Sequence, residues 1–371
     1  MAAPDLVQRQ SPERIGRYQV IERIGRGAMG VVYRARDEAM GRDVALKVLT
    51  ADLEDDPDIR TRFAREAQAA ASLSHPNIIT IFDVGEDDDR FFIVMELLRG
   101  RTLKDFLKQP EGVRIERKVD LMMQMCAGLG AAHKASVFHR DMKPGNIFVR
   151  ADGILKILDF GVARLASSSM TASGFIVGTP DYMSPEQVRG ADIDARSDIF
   201  SLGGVFYFML AGRKPFPASD LPTLFRQIQN DDAPALNADV LPELTGIVMK
   251  ALSKEPDARY RTCQELSADL AVVRHLYASR AAHMSVGAGA AQAAEIAAAD
   301  PAAASDGAST DETVDLAPAA SLASDDTVTL SPPTWVKRVS DRIDSAISGV
   351  RARLGRSSPS VPTTPTGLRK R

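Results

Sequence analysis

The hydrophobic pattern changes its period near residue 100, and this change constrains the fold of the 371-residue chain more than any other feature. From Tyr18 to about Leu98, short runs rich in β-branched residues recur, as in GVVYRAR and DVALKVL, with one helical stretch, IRTRFAREAQAAASLS. From Thr102 to about Tyr277, apolar residues recur at three- and four-residue intervals. We therefore expect an α+β protein, with a small antiparallel sheet and one main helix followed by a mainly helical half.

Beyond Tyr277 the composition shifts to Ala, Ser, Thr, Asp and Pro, with almost no aromatic residue. Such a segment buries too little apolar surface to offset chain entropy, so we expect disorder there. The chain divides into an N-terminal leader, a folded unit, a disordered acidic linker rich in Ala, Ser and Thr, a basic amphipathic helix and a disordered basic tail: 1–17, 18–277, 278–334, 335–356 and 357–371.

Charge and cysteine content exclude several classes of protein. A formal net charge of −3 argues against a general nucleic-acid-binding surface. Cys126 and Cys263 lie far apart in sequence, without metal-ligand spacing, which fits a reducing cytosol. The N-terminus lacks the apolar region of a signal peptide, and the longest apolar run, FSLGGVFYFMLAG, is too short to span a bilayer. We interpret that run as a buried core helix and expect a cytoplasmic protein.

A glycine-rich run, IGRGAMGVV, places glycines at positions 25, 27 and 30. The spacing also occurs where a dinucleotide-binding helix begins, but here the run is followed by VVYRAR, which alternates like a strand. The flanks therefore favour a β-hairpin lid over phosphates, because glycine amides can approach phosphate oxygens with no Cβ in the way.

Lys47 is the only cation in the strand DVALKVL. Its neighbours Val44, Ala45, Leu46 and Val48 are apolar, so the ammonium needs an anionic partner. Glu66, on the following helical stretch, is the natural candidate. Together they could hold nucleotide phosphates.

These residues, with four further motifs, resemble the eukaryotic-like protein kinases, and the wording GTPDYMSPEQ and RSDIFSLG is most similar to the bacterial Hanks-type Ser/Thr kinases of that superfamily. The motifs follow in family order over about 18–277: HRDMKPGN, LDFG, SPE and SDIFSLG. The resemblance implies a bilobal kinase fold and ATP-dependent transfer of a phosphoryl group to Ser or Thr hydroxyls of proteins, including autophosphorylation.

The resemblance also assigns roles. Asp141 would accept the substrate hydroxyl proton, Lys143 would stabilise the moving phosphoryl group, and Asn146 with Asp159 would hold Mg²⁺, or Mn²⁺ in its place. Lys47 and Glu66 complete the catalytic set. The predicted ATP-binding residues are Ile24, Gly25, Arg26, Gly27, Ala28, Met29, Gly30, Val31, Val32, Ala45, Lys47, Met95, Glu96 and Leu98.

Four further residues have structural roles by the same resemblance: Asp198 braces the catalytic loop, Arg259 pairs with Glu186, and Arg140 pairs with a phosphorylated activation loop. Thr171 and then Ser173 are the candidate phosphorylation sites in that loop. Thr179 matches the residue that contacts the catalytic loop in the substrate-recognising segment of Ser/Thr protein kinases.

The residues leave two other classes of function open. A pseudokinase scaffold would bind partners without phosphotransfer, although the catalytic residue types are all present. A small-molecule phosphotransferase on a related fold would lack an activation segment, whereas this chain has a stretch containing GTPDYMSP between Gly161 and Ser184. A protein substrate is therefore the better hypothesis.

The tail carries two more predictions. DETVDL and DDTVTL each place a threonine, Thr313 and Thr327, after acidic residues, which resembles the phosphothreonine sites read by forkhead-associated domains. In 335–356, apolar residues recur along one face of a basic helix that could dock on an anionic membrane, on a protein partner or on its own acidic linker. A dimer of the kinase domain is also open.

Overall fold

The computed structural model describes residues 12–27, 30–49, 67–88, 90–109, 112–160 and 180–280. Six strands form one antiparallel sheet in the N-terminal half: β1 Arg14–Ile15, β2 Tyr18–Gly27, β3 Gly30–Asp37, β4 Arg42–Leu49, β5 Ile81–Asp87 and β6 Arg90–Glu96. The order across the sheet is β1-β2-β3-β4-β6-β5. β1 adds to the sheet a piece of chain that the sequence pattern assigned to the leader.

The acidic run Glu86–Arg90 predicts the solvated tip of a hairpin, and the β5–β6 connection there is a tight turn with Asp88 at φ 48°. The run NIITIFDVG, rich in β-branched residues, predicts a strand, but β5 begins only at Ile81. The residues before it bond to a different part of the chain: Ile157 N–H donates to Asn77 O at 2.8 Å, and Ile79 N–H donates to Ile157 O at 3.0 Å. Residues 77–79 therefore lie against the helical half and do not extend the sheet.

The two faces of the large sheet belong to different hydrophobic cores. Residues 67–71 are helical (α1), and Ala67, Ala70 and Ala71 belong to the main core that continues into the helical half. Tyr18 and Phe92 belong to a separate small core, where their rings meet edge to face at 6.0 Å. The small core stabilises the N-terminal sheet independently of the helices.

The C-terminal half is mainly helical, as predicted. Its helices are α2 Leu103–Phe106, α3 Ile115–Lys134, α4 Pro185–Arg189, α5 Ala195–Ala211, α6 Leu221–Asn230, α7 Pro242–Ala251 and, over 263–280, α8. The methionines of α3 recur at a spacing that predicts helix core, and Met122 and Met125 are indeed fully buried. The expected α+β architecture, an antiparallel sheet followed by a mainly helical half, is confirmed.

The apolar run FSLGGVFYFMLAG lies in α5, which begins at the N-cap Asp194 and ends before Gly212 at φ 70°. Every residue from Ser197 to Tyr207 is buried, so the helix is surrounded by the rest of the lobe. A Cβ on Gly203 would lie 2.9 Å from the Ala251 Cβ, so glycine permits the close approach of α5 to α7. The run is the buried core helix that the sequence predicts. Among the described residues, no helix has both the length and the apolar character needed to cross a membrane.

A second, three-stranded sheet lies between the lobes. It consists of β7 Gly100–Thr102, β8 Ile147–Arg150 and β9 Leu155–Ile157, in that order, and all its pairs are antiparallel. A short 3₁₀ turn, Pro144–Asn146, leads directly into β8. The loops that flank β8 and β9 carry most of the charged residues of the candidate site, and Asp159, after β9, reaches Lys47 of the large sheet.

Candidate active site

Lys47 lies in the middle of β4, opposite Val32 on β3 and Ile93 on β6. The residue is 8% exposed, so its ammonium group is largely withdrawn from water. Its Nζ lies 2.6 Å from Oδ1 of Asp159, which follows β9. The anionic partner that the apolar strand demands is present, and it comes from the other lobe.

Asp159 has a left-handed backbone, with φ 53°. Its side chain keeps 36% of its surface exposed, so part of the carboxylate faces the open cleft. Burial alone would raise the pKa of Asp159, but the positive charge of Lys47, with contributions from His139 and Lys143, lowers it below the usual value. The carboxylate is therefore ionised at neutral pH and can bind a cation.

The loop before β8 gathers the polar residues of HRDMKPGN around Asp141. Lys143 Nζ donates to Asp141 Oδ2 at 2.6 Å, and Asn146 Nδ2 donates to the same oxygen at 2.9 Å. Asn146 Nδ2 also donates to the Asp141 carbonyl, which fixes the turn. No described residue bonds Asp141 Oδ1, so this oxygen can accept a substrate proton.

A buried carboxylate supports this loop from below. Asp198 on α5 is 0% exposed, and its oxygens accept the backbone N–H groups of His139 at 2.8 Å and Arg140 at 2.7 Å. Arg140 has φ 64°, a conformation that costs free energy for a residue with a side chain. The two hydrogen bonds stabilise it, so the buried helix determines the shape of the loop.

His133 also contacts this carboxylate, through Nε2 at 2.8 Å from Asp198 Oδ2. The sequence pattern predicts only a packing role for His133, because a histidine inside an amphipathic helix gives no sign of a distant buried acid. His139, fully buried, meets the Leu158 carbonyl through Nε2 at 2.8 Å and contacts the Phe160 ring. Both histidines support the loop and neither faces the cleft.

Asn146 and Asp159 are the predicted metal ligands, and the backbone brings their segments together, since Leu158 N–H donates to Asn146 O at 2.8 Å. The amide nitrogen of Asn146 is used by Asp141, so its Oδ1 is left as a potential ligand. Oxygen ligands from one carboxylate and one amide suit a hard divalent cation such as Mg²⁺. Among the described residues, no cluster of three or more His, Cys, Asp or Glu could hold a metal ion.

The glycine-rich run forms the β2–β3 hairpin, with Gly27 paired to Gly30 in the register. Strands flank the run on both sides, which confirms the predicted hairpin and excludes a loop that leads into a helix. A Cβ on Gly30 would lie 2.3 Å from the Val48 carbonyl oxygen, so the backbone of β3 can approach β4 only because this residue is glycine. Ile24 is 48% exposed and Arg26 is also exposed, so this end of the hairpin is open to a ligand.

A small apolar cluster lies between the sheet and the segment that joins the lobes. Its buried members are Ala45, Ile79 and Met95, and Val32, Leu97, Leu98 and Leu158 pack against them. Four of the predicted nucleotide-binding residues therefore lie together: Val32, Ala45, Met95 and Leu98. The sequence pattern missed Ile79, Leu97 and Leu158; of these, Leu158 could have been found from its place directly before Asp159.

The side chain of Glu96, at the end of β6, has a partner that the sequence pattern missed. Lys156 on β9 is 5% exposed, and its Nζ lies 2.7 Å from Glu96 Oε1 and 3.0 Å from the Ile78 carbonyl. Thr80 N–H donates to the same Glu96 oxygen at 2.8 Å. The backbone N–H of Glu96 is used as well, because it donates to Thr80 O at 3.0 Å. A lone lysine in the apolar strand ILKIL is the same signal that identified Lys47.

Glu186 and Arg259 lie far below the cleft and form a bidentate pair, with N–O distances of 2.7 and 2.9 Å. The remaining Arg259 donors bond the carbonyls of Ser253, Arg196 and Lys254. Although burial opposes it, hydrogen bonding to Arg259 and Ser197 lowers the pKa of Glu186 to about 2. This pair stabilises the lobe and does not contact the cleft.

Several predicted residues lie outside the described residues: Ala28, Met29, Glu66, Thr171, Ser173, Thr179, Thr313 and Thr327. The Lys47–Glu66 pair and the whole activation segment from Gly161 to Thr179 therefore stay predictions. The same holds for the basic helix 335–356.

The geometry described above is that of a kinase cleft, and the family comparison agrees with it. Residues 18–270 match the model of the protein kinase domain. The chain belongs to the protein kinase family. It is 42% identical over 264 residues to the serine/threonine-protein kinase PknB of Mycolicibacterium smegmatis, covering 68% of this chain and 42% of that protein.

Two further comparisons agree. A probable serine/threonine-protein kinase of Streptomyces coelicolor, SCO3848, is 40% identical over 272 residues, covering 70% of this chain and 40% of the relative. The crystal structure of the PknI kinase domain of Mycobacterium tuberculosis, as a double mutant, superposes with a TM-score of 0.59 at 26% identity, covering 74% of this chain and all of that one. The chain thus spans about two fifths of the length of the curated relatives it matches.

Proposed function

We propose that this chain is an ATP- and Mg²⁺-dependent protein kinase that transfers the γ-phosphoryl group to Ser or Thr hydroxyls. The observation that carries the proposal is the joint arrangement of two groups at one cleft: Asp141 with Lys143 and Asn146, and Asp159 with Lys47. The names of the relatives, which are serine/threonine-protein kinases, support the acceptor type.

The residues suggest how the transfer occurs. The substrate hydroxyl oxygen forms a bond to the γ-phosphorus while the bond from that phosphorus to the bridging oxygen of ADP breaks, and Asp141 Oδ1 accepts the hydroxyl proton. Lys143, already beside Asp141, faces the negative charge of the moving group. A bound divalent cation would neutralise phosphate charge, and Asp159 and Asn146 are the residues that would hold it.

Nucleotide binding has two parts in this proposal. The adenine ring would lie in the apolar cluster of Val32, Ala45 and Met95, between the lobes. Because the Glu96 N–H bonds Thr80, the carbonyl of Glu96 and the backbone of Leu98 are the proposed partners for the base. The glycine-rich hairpin and Lys47 would bind the phosphates.

The test is Asp159→Asn in the full chain. We expect transfer of labelled phosphate from ATP to a generic protein substrate to fall to background with either Mg²⁺ or Mn²⁺, because the neutral amide binds the cation poorly. Asp152→Asn is the matched control, since Asp152 is an exposed aspartate in the β8–β9 turn, paired to Arg150. Equal label incorporation by Asp159→Asn and the parent protein would refute the metal assignment.

We also propose that phosphorylation of the activation loop, at Thr171 and next at Ser173, increases activity. The support is the position of Arg140, which directly precedes Asp141 and whose backbone Asp198 stabilises. A phosphate brings roughly −1.5 to −2 charges and can order a loop against a guanidinium group. Mass spectrometry should find one of these residues phosphorylated, and Thr171→Ala with Ser173→Ala should lower activity; unchanged activity would contradict the idea.

Protein partners of the tail are the last part of the proposal. Peptides phosphorylated at Thr313 or Thr327 should bind a forkhead-associated domain, and Leu316→Ala or Leu330→Ala should abolish this binding. For peripheral membrane docking by 335–356, a peptide of residues 331–371 should co-sediment with anionic vesicles at low salt. Absence of co-sedimentation would eliminate the membrane version and leave either docking on a protein partner or no role for this segment.

A further inference from the structure

A basic surface lies on the helical lobe, just past the segment that joins the lobes. We call it the basic face and define it as residues 99–118 and 150–154, of which Pro110 and Glu111 lie outside the described residues. These two segments contain eight Lys or Arg and four Asp or Glu, so 8 − 4 gives a net charge of +4 in a chain whose total is −3. Its cations are Arg99, Arg101, Lys104, Lys108, Arg114, Arg117, Lys118 and Arg150.

Backbone contacts show that the two segments form one surface. β7 pairs with β8, with Gly100 opposite Arg150. Ala151 N–H donates to Arg99 O at 3.0 Å, and Arg117 on α3 donates to the carbonyl of Gly153 in the β8–β9 turn. The cations of β7, α2 and the start of α3 therefore lie on contiguous elements.

Half of these cations have no partner within the described part of the chain. Lys108 pairs with Asp105 at 2.9 Å, and Arg150 pairs with Asp152 at 2.7 Å. By contrast, four exposed side chains make no ion pair with any described residue: Arg99, Arg101, Lys104 and Arg114. A concentration of unpaired like charge raises the free energy of the surface unless an anionic group binds there.

The chain leaves the described fold close to this face. α8 runs along α3, since Arg274 Nη1 lies 3.7 Å from Asp120 Oδ1. Near its end, the Tyr277 hydroxyl accepts the Leu241 N–H at 2.9 Å. Burial raises the pKa of Tyr277, and Glu116, on the first turn of α3, adds to this effect. The last described residues therefore lie beside the part of α3 that borders the basic face.

The segment that follows has the complementary charge. Residues 306–326, here the acidic segment, contain six acids and no Lys or Arg: Asp306, Asp311, Glu312, Asp315, Asp325 and Asp326. Twenty-five residues, 281–305, separate Arg280 from Asp306. A random-coil chain of that length spans about 30 Å on average, enough to return to a face beside its origin. Tethering also gives an effective concentration in the millimolar range, so that weak charge pairing suffices.

We propose that the acidic segment docks on the basic face of the same chain. Docking neutralises the unpaired cations and holds Thr313 and Thr327 near the segment that joins the lobes. The competing ligand within the chain is the basic segment 335–371, which carries nine Lys or Arg and two Asp, net +7, and could pair with the acidic segment instead. The two arrangements differ in one respect: only docking on the fold depends on the cations of the basic face.

The experiment measures energy transfer between two dyes on the full chain, attached at Ala151→Cys in the β8–β9 turn and Ser309→Cys in the acidic segment. The native Cys126 and Cys263 are each 2% exposed, and burial raises the pKa of both thiols, so the dyes react at the introduced cysteines. We expect high transfer efficiency at low salt that falls as salt is raised to 0.5 M and is independent of protein concentration.

Charge reversal then identifies the docking site. Arg101→Glu, Lys104→Glu and Arg114→Glu together should lower the efficiency to its high-salt value, and so should Asp311→Lys, Glu312→Lys and Asp315→Lys. Combining both sets should restore it. The matched control reverses three exposed cations elsewhere on the helical lobe, Arg189, Arg213 and Arg261, and should leave the efficiency unchanged.

Three outcomes would overturn the proposal: no effect of reversing the basic face, an equal effect of the control set, or failure of the combined set to restore transfer. If only reversal of the acidic segment matters, that segment pairs with 335–371. As a measurement on the unaltered chain, carbodiimide coupling followed by mass spectrometry should link Lys104 or Lys108 directly to acids of 306–326. Links from Lys337 or Lys370 alone would also contradict docking on the fold.

Discussion

Two ion pairs of this kinase have nearly the same length and different surroundings. Lys47 and Asp159 meet at 2.6 Å across the cleft, and Arg259 and Glu186 meet at 2.7 Å within the helical lobe. Side-chain exposure separates them, with 10% and 36% for the first pair and 0% and 8% for the second. Distance alone therefore does not tell which pair binds a ligand.

The number of hydrogen bonds explains the difference. A guanidinium has five N–H donors, and Arg259 makes five hydrogen bonds: two to Glu186 and one each to the carbonyls of Ser253, Arg196 and Lys254. Lys47 has three donors and makes one hydrogen bond to the described residues. The Arg259 guanidinium is saturated and stabilises the fold, while two donors of Lys47 have no hydrogen-bond partner among the described residues, as the proposed phosphate contact requires.

The largest expected effect comes from Lys47→Met. We expect kcat/KM for protein phosphorylation to fall roughly 10²- to 10³-fold, as when one preorganised donor is removed. The free energy of unfolding should change by at most about 1 kcal/mol, because the partly exposed Asp159 can be hydrated. Kinase assays and urea unfolding measure the two quantities; a large loss of stability would remove the distinction between the pairs.

Arg259→Met should have the opposite profile. It leaves the Glu186 carboxylate buried and without its guanidinium, which costs about 3–5 kcal/mol in the free energy of unfolding. Glu186→Leu together with Arg259→Met should recover part of this loss, because no charge is then buried. Urea unfolding at pH 7 provides the values. If the double variant is no more stable than Arg259→Met, the cost comes from lost packing and not from the buried charge.

Acid should weaken the buried pair first. The pKa of Glu186 is about 2 in the folded protein and about 4.5 ordinarily, so its contribution is present above pH 4.5 and is lost as pH falls from about 5 to 2. Such a shift corresponds to about 3 kcal/mol. Unfolding free energies of the parent and Glu186→Gln should converge over this range. Parallel pH profiles for the two proteins would show that Glu186 is not responsible.

The smallest effect is expected at an exposed pair of the same length, Arg14 and Glu38, at 2.8 Å with both side chains 54% exposed. Glu38→Ala should cost about 0.2–1 kcal/mol, since water screens the interaction. Thermal unfolding in low and high salt should show this small difference disappearing. A cost comparable to that of Arg259→Met would mean that burial does not determine the strength of these pairs.

The sequence predicted the helical lobe and the sheet well because their periodicities are local. It placed Lys47 in an apolar strand and so predicted an acidic partner. It named Glu66, which lies outside the described residues, and gave no sign of Asp159, because this acid approaches from the other lobe, 112 residues away. The periodic pattern also extended a strand over Asn77–Thr80, whereas these residues bond to β9 and to Glu96.

The contacts of Asp198 were equally hard to read from local pattern. His133 reaches this carboxylate from α3, and the backbone of Arg140 reaches it from the catalytic loop. Three separate segments meet at one buried acid, and the residue pattern within each segment gives no sign of this contact. Hydrophobic periodicity did not indicate Asp198, but the order of the family motifs did. That order carries information about segments that meet only in the fold.

The contacts of Lys156 join the two lobes at one place, so any rotation of one lobe against the other would pivot there. Lys156 bonds the Ile78 carbonyl and Glu96, and Ile157 makes backbone hydrogen bonds to Asn77 and Ile79. Residues 77–79, which precede β5, are therefore held directly against β9. During a rotation, atoms close to this point of attachment move least, and the displacement of an atom increases with its distance from that point. The glycine-rich hairpin projects from the far strands of the sheet, so a few degrees of rotation about Lys156 move Gly27 much farther than they move Met95. Met95, in the proposed adenine site, thus lies near the fixed end of the lever, and the glycine-rich hairpin, the proposed phosphate-binding element, lies at its moving end.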